Sequence, residues 1–423
     1  MYEEIFLEVV SIVRNDYAGC LDKKGWDRPE PYLETIRRLE AQQALTPAKF
    51  HELVQDYLLD FKDPHMYFLL KTDAGKETDA GFAVRRYMDR LYVTSAGREK
   101  RLAAGDSIRA LDGIPIGELA EKHQRELMDE IPERQNWNKI IKKYKKCQVV
   151  TKAGTEMELE LSAYPKEKYE PCHEIREIDE NILLMTLTDF ENPDKIRALI
   201  EENAEKLERC RYWVIDVRKN RGGTDAAFLR LLPYLFPEGK NVLTMEEDWK
   251  MTFHCTERNY HLTVEQIQSE LRQIRDDGTR KTLEDFMERW RKNKGKGFVR
   301  LFEEDFEAVI EGRSLPEKVV ILTDTGCGSS GENFVEICKK SPKVTVIGRP
   351  TAGVNGYANL AVKEWDDFQF YFPTSRLDKM DKVKNLLDLA AHPDVYLPWT
   401  PGHLQEDADL KEALRFLKGG PAQ

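Results

Sequence analysis

Hydrophobic and polar positions alternate with two different periods along the chain. From residue 1 to about 60 the apolar positions recur at helical spacing. Ile5, Leu7, Val9, Val10, Ile12 and Val13 make one stripe, and Leu33, Ile36 and Leu39 make another. Thr46-Pro47 predicts an N-cap followed by Pro at the first helical position. That helix runs through Phe50, Leu53, Val54, Tyr57 and Leu58 until Pro64 ends it, and an apolar strand begins at Met66. From Asp79 to about Tyr164 the period shortens to strand alternation, with a hairpin signal at Asp112-Gly113, a helix over 118–127 and two strands joined at Ala153-Gly154.

Two later stretches share one plan. Residues 181–188 predict a strand and 193–209 an amphipathic helix; Tyr212-Trp-Val-Ile-Asp-Val217 is a further strand that runs into Gly222-Gly223, with a helix expected over 226–236. Lys318-Val-Val-Ile-Leu-Thr323 repeats the strand, Gly326 to Gly331 the turn, and the segment from Glu332 the helix. Between them, residues 241–314 are highly charged and mostly helical, clearest over 263–274 and 283–290, with a break expected at Asp276-Asp-Gly278. This is an insertion, read either as a lid or as a solvated packing arm, and Trp249, Met251 and Phe253 are candidates for an apolar lining. Strands over 343–348, 358–362 and 368–372, an edge strand just beyond Pro393 and a helix over 406–417 complete the chain.

The pattern implies an α/β fold with a central core of stacked strand-strand-helix units. At 423 residues the chain holds two or three domains. The expected bounds are 1–76 for an N-terminal helical segment, 77–165 for a β domain and 166–423 for the core, with the insertion at about 241–314. The charge of -11 and the lack of a concentrated basic stripe argue against nucleic-acid binding. No apolar run is long enough to span a bilayer. Seven scattered cysteines fit neither a metal-ligand spacing nor an even disulfide framework, so a cytoplasmic protein with reduced thiols is expected. No metal or organic cofactor is indicated.

The candidate chemistry sits on the turns. A hydroxyl at a strand-to-helix turn lies near the positive end of the helix dipole, where backbone N–H groups can hold an oxyanion. Ser329 and Ser330 occupy that position, and either a helix cap or a nucleophile explains them at this stage. Gly222 and Gly223, on the like-built turn, are candidates for a second oxyanion donor. Of eight histidines, His65 stands at a sharp junction fixed by Pro64, the restraint a general base needs.

Residues 79–164 resemble a PDZ domain, through Ala104-Gly-Asp-Ser-Ile-Arg-Ala-Leu-Asp-Gly-Ile-Pro-Ile116 and Gly81-Phe-Ala-Val84. The resemblance makes Gly81, Phe82 and Ala83 candidates for binding an extended peptide terminus by strand addition. A structural β domain with a blocked groove stays open beside it.

Five blocks in order then resemble peptidase family S41, the C-terminal processing proteases and their tricorn-like relatives. They are Asp63-Pro-His65, the PDZ-like segment, Ile215-Asp-Val-Arg-Lys-Asn-Arg-Gly-Gly223, Thr325-Gly-Cys-Gly-Ser-Ser-Gly-Glu332 and Pro393-Asp-Val395. The resemblance implies a crotonase/ClpP-like core, Ser329 as nucleophile, and oxyanion donors at Ser330 and at Gly222 or Gly223. The processing branch places a base Lys after Thr-x-Gly, where this chain has Thr351-Ala-Gly-Val354. That departure points to the tricorn-like branch, with His65 as base and Asp388 as the acidic partner. Substrates would be unfolded or extended polypeptides, engaged by their C-termini, and a homo-oligomer is compatible. An inactive peptide-terminus binder is the second reading; an apolar-ligand cavity, as in retinoid-binding relatives, is the third.

Overall fold

The structure is a computed structural model, describing residues 2–71, 78–244, 249–272, 277–302 and 307–419. The chain divides into two compact units. One comprises Met1–Ala74, Thr244–Glu307 and Val354–Val383; the other comprises Gly75–Leu243, Ala308–Gly353 and Lys384–Gln423.

The second unit is built on a six-stranded sheet in the order His173–Asp179, Ile182–Leu187, Tyr212–Asp216, Lys318–Thr323, Val344–Gly348 and Val395–Tyr396. Only the first pair is antiparallel; every later pair is parallel. Strands in such a sheet are covered on both faces, which is why they read as continuous apolar runs. Leu183, Trp213, Ile215, Val319 and Ile321 point into one core, and the residues between them, Leu184, Val214, Val320 and Leu322, point into another. The second core is covered by the C-terminal helix Ala408–Leu417 through Ala413 and Leu417. Tyr212 to Asp216 pairs in register with Lys318 to Leu322. The two like turns therefore leave the sheet side by side.

A second sheet of this unit runs Ala83–Tyr87, Arg90–Ser95, Ser107–Leu111, Lys146–Val150 and Glu156–Glu160, with Ile114–Pro115 paired to the third strand. Asp112 and Gly113 both take positive φ, 45° and 80°, as a two-residue hairpin turn requires. Ala83–Tyr87 lies at the sheet's edge. The helix expected over 118–127 is two pieces, Ile116–Lys122 and Gln124–Leu127. They part at His123, whose ring is held between Glu126 (2.7 Å) and the Tyr144 hydroxyl (2.6 Å).

In the first unit, helices Tyr2–Asn15, Glu30–Ala41 and Pro47–Leu58 share one aromatic-rich core with the strands Tyr67–Leu70, Tyr357–Glu364 and Phe368–Leu377. Thr46 caps the third helix by accepting from the Lys49 N–H at 3.2 Å, with Pro47 at its first position. Residues 241–314 are less helical than their charge pattern predicts. Besides helices Glu257–Leu271 and Asp277–Asn293 they contain strands Met251–Cys255 and Gly297–Val299. Phe253 is buried against Trp290 rather than lining an opening. Of the expected break, Asp276 falls outside the described residues, while Asp277 and Gly278 open a helix. The helix expected over 226–236 is also reduced, to a 3-10 turn, Asp225–Ala227, and the short helix Leu232–Leu235. Pro233 lacks the N–H that a continuous helix needs there, and it sits in that helix's first turn instead.

Phe190, Phe228 and Phe334 are wholly buried, with ring centroids 5.3–5.5 Å apart, and they join the segments that carry both turns. Phe334→Ala is expected to cost about 3–5 kcal/mol, read as a lowered urea midpoint with little change in slope.

Candidate active site

Ser329 stands at the N-terminus of helix Ser330–Lys339 with φ 55° and ψ −128°, a conformation that side-chain-bearing residues rarely adopt. Such backbone costs on the order of 1–3 kcal/mol and persists only where its surroundings enforce it. Hydrogen bonds do so here: Cys327 N–H to Asp324 O (2.8 Å), Gly328 N–H to Asn220 O (2.9 Å), Gly331 N–H to Gly328 O (3.0 Å) and Glu332 N–H to Ser329 O (2.8 Å). The Ser329 side chain makes no capping hydrogen bond to the helix. The cap explanation of this hydroxyl therefore fails. Ser330 is buried, and its hydroxyl donates to Asp225 at 2.5 Å, beside Asn333, which donates to both Asp225 oxygens.

The neighbouring glycine turn is held by Asn220, which is fully buried. Its amide donates to Leu187 O (3.1 Å), its side-chain oxygen accepts the Gly222 N–H (2.9 Å), and its main-chain oxygen accepts from Gly328. Asn220 thus ties one turn to the other. The motif contains it, yet sequence reasoning gave it no task; an Asn two residues before a glycine was the available signal. A Cβ on Gly222 (φ +85°) would lie 2.6 Å from Ser329 Cβ and 2.8 Å from Gly328 O. One on Gly223 (φ +142°) would lie 2.3 Å from the Phe190 carbonyl carbon. Glycine is needed at both places for close backbone approach. The Gly222 N–H is taken by Asn220, whereas those of Gly223 and Ser330 have no hydrogen-bond acceptor among the described residues.

Charge anchors the start of the serine turn. Asp324, the first residue after the strand, receives a two-pronged contact from Arg85 (2.6 and 2.8 Å) and two more from Arg349 (3.0 and 3.1 Å). Burial alone would raise the Asp324 carboxyl, but the two guanidiniums outweigh it and hold it down to about 2. Buried Glu332 accepts from the Thr351 hydroxyl (2.6 Å) and the Gly353 N–H (2.5 Å). The same loop is fixed by Ala352 N–H to Cys327 O (2.7 Å) and by Arg134 on the carbonyls of Thr351 and Ala352 (2.8 and 2.7 Å). Burial, with Glu332 nearby, pushes the Cys327 thiol well above its usual range, so it stays protonated and is no rival nucleophile.

His65 belongs to the first unit and Ser329 to the second. His65 follows a 3-10 turn, Leu59–Phe61, and Lys62 in left-handed conformation (φ 47°). The Asp63 carboxylate accepts the His65 main-chain N–H at 2.9 Å and the Tyr17 hydroxyl at 2.7 Å. Nδ1 of His65 is buried with no hydrogen-bond partner among the described residues. Asp388 is exposed, and one of its carboxylate oxygens accepts the main-chain N–H groups of Lys384 (2.8 Å) and Asn385 (3.2 Å). Gly81 (φ +76°) and buried Phe82 lead into the edge strand that begins at Ala83. Among the described residues no cluster of His, Cys, Asp or Glu has the arrangement of a metal site, and no helix is long and apolar enough to cross a membrane.

The Asp324 contribution is present above its ordinary pKa near 3.8 and is lost as pH falls through about 2. Asp324→Asn should therefore be less stable than wild type by about 2 kcal/mol at pH 7. The deficit should shrink between about pH 4 and pH 2, as measured by denaturant unfolding across that range.

Residues 181–381 match the profile of peptidase family S41. A crystal structure of a serine-to-alanine mutant of CPAF aligns with a TM-score of 0.67 at 10% identity, covering 100% of this chain and 98% of that one. Mature CPAF complexed with lactacystin aligns at 0.64 and 11% identity, covering 99% and 97%. A putative S41 protease from Bacteroides fragilis aligns at 0.49 and 13%, covering 97% of each chain. No curated protein sequence matches. At these identities the likeness to CPAF is one of fold. With the ordered motifs, the matched profile marks residues 181–381 as a peptidase family S41 segment, and the chain as a serine peptidase of the hydrolase class.

Proposed function

We propose that the protein hydrolyses peptide bonds of extended polypeptides by acyl transfer through Ser329 and His65. The observation that carries this is the strained backbone of Ser329 beside two backbone N–H groups, those of Ser330 and Gly223, that have no acceptor among the described residues. In the proposed cycle His65 takes the Ser329 proton as the oxygen bonds to the scissile carbonyl carbon. The Ser330 and Gly223 amides hold the oxyanion. His65 then protonates the departing amine as the C–N bond breaks; water, deprotonated by His65, attacks the ester, and the acid leaves as the Oγ–acyl bond breaks and His65 returns the proton to Ser329 Oγ. The cycle requires the His65 ring within hydrogen-bond distance of the Ser329 hydroxyl. Asp388 enters as the orienting carboxylate for the imidazole. Gly222, whose N–H serves Asn220, acts by letting the backbone approach Ser329.

In this reading the six-stranded sheet is the crotonase/ClpP-like core and residues 77–165 are the PDZ-like module. The edge strand from Ala83, entered through Gly81 and Phe82, would receive a substrate terminus by strand addition. The same edge supports the second reading, a peptide-terminus binder without hydrolysis.

Ser329→Ala and His65→Ala are each expected to abolish hydrolysis of an unstructured protein, and Ser329→Ala to abolish labelling by a fluorophosphonate. Equal labelling of wild type and Ser329→Ala, or no labelling of either, would favour the binder. Gly222→Ala, which drives a methyl against Ser329, should lower kcat/KM roughly 100-fold. Asp388→Ala should lower kcat at unchanged KM if Asp388 orients the base; unchanged kcat would restrict it to capping its own turn.

A further inference from the structure

We propose that Tyr17 and Lys23 are positioning residues for the loop that carries His65, acting through Asp63. The inference rests on the reading of His65 as the general base. Tyr17 is wholly buried, and Lys23 and Asp63 are buried with it. The Lys23 ammonium donates to the Tyr17 hydroxyl oxygen at 2.9 Å, the Tyr17 hydroxyl donates to Asp63 Oδ2 at 2.7 Å, and Asp63 Oδ1 accepts the His65 N–H at 2.9 Å.

The direction of this chain is set at its far end. An ammonium can only donate, so the Tyr17 oxygen is the acceptor and its proton is left to point at Asp63. Burial raises the Tyr17 phenol well above its usual range, with the Asp63 charge adding to the effect, so the hydroxyl keeps that proton. Lys23 itself has no carboxylate within ion-pair distance among the described residues. It lies instead over the Tyr357 ring at 4.4 Å, with Trp26 at 5.9 Å. The Tyr357 hydroxyl is bonded to Asp22, which Arg376 also holds. Gly19 leaves room for the phenol, since a Cβ there would lie 2.5 Å from the Tyr17 oxygen. A buried ammonium with no carboxylate in direct contact is costly to fold. Its one hydrogen bond orients a hydroxyl aimed at the loop of the base.

The test compares steady-state peptide hydrolysis in full-length wild type, Tyr17→Phe, Lys23→Met, Lys23→Arg and His65→Ala, with unfolding midpoints measured in parallel. Tyr17→Phe and Lys23→Met are expected to lower kcat about 10- to 100-fold with KM within about twofold. Lys23→Arg, also a pure donor, is expected to recover most of that loss. Lys23→Met removes a buried charge and should fold, so it decides the matter if Tyr17→Phe does not. Wild-type kcat in Lys23→Met, or a loss that merely follows the folded fraction, overturns the proposal. Activity in His65→Ala would instead bring down the reading of His65 as base, and the proposal with it; an inactive His65→Ala beside a fully active Lys23→Met brings down the proposal alone.

Discussion

The serine turn depends on the double grip on Asp324. Its carboxylate lies where the apolar strand Lys318–Thr323 gives way to glycines and serines, between Arg85 and buried Arg349. Arg349 is shared with Asp409 on the C-terminal helix, and Asp409 is also bonded to Arg218 from the glycine-turn segment. Desolvating so many charges is expensive, and a well-packed apolar set could be as stable. What the ions supply is position. A guanidinium clamped on a carboxylate permits one geometry, where apolar contacts permit sliding. The residue so fixed stands five positions before the strained serine.

From that anchor the turn is shaped mainly by main-chain groups. Gly222 lies so close to Ser329 that any side chain on it would collide, and Asn220 carries three hydrogen bonds that lock the two turns in register. Amides fixed by the fold need no reorganisation when charge develops near them, which is the advantage of backbone donors over mobile side chains. The strain at Ser329 is a small part of what the surrounding hydrogen bonds and the Phe190, Phe228 and Phe334 cluster can hold.

Much of this was legible in the residues because it is local. Runs of Val, Ile and Leu ending in glycine fix a strand and a turn within a dozen positions, and Pro64 marks the His65 junction on its own. The clamp on Asp324 was not legible. Its members stand at 85, 324, 349 and 409, and only the folded sheet brings them together. The insertion misled for a different reason. Its charged helices dominate the composition, while Met251–Cys255 and Gly297–Val299 are too short to show an alternating period before Trp290 covers Phe253. The Thr351 loop shows the limit of motif matching. Its Lys is replaced by Val354, yet Glu332 and Cys327 still hold the loop through Thr351, Ala352 and Gly353.

The two candidate catalytic groups are restrained by opposite means. Ser329 has a main chain clamped on every side, which suits an atom that must meet a fixed pair of amides. His65 has its main chain pinned at one N–H by Asp63, while its ring nitrogen Nδ1 is buried with no hydrogen-bond partner among the described residues. An unsatisfied buried nitrogen is costly, on the order of 1–3 kcal/mol. As the proposed base, the imidazole would use that nitrogen to meet its orienting carboxylate.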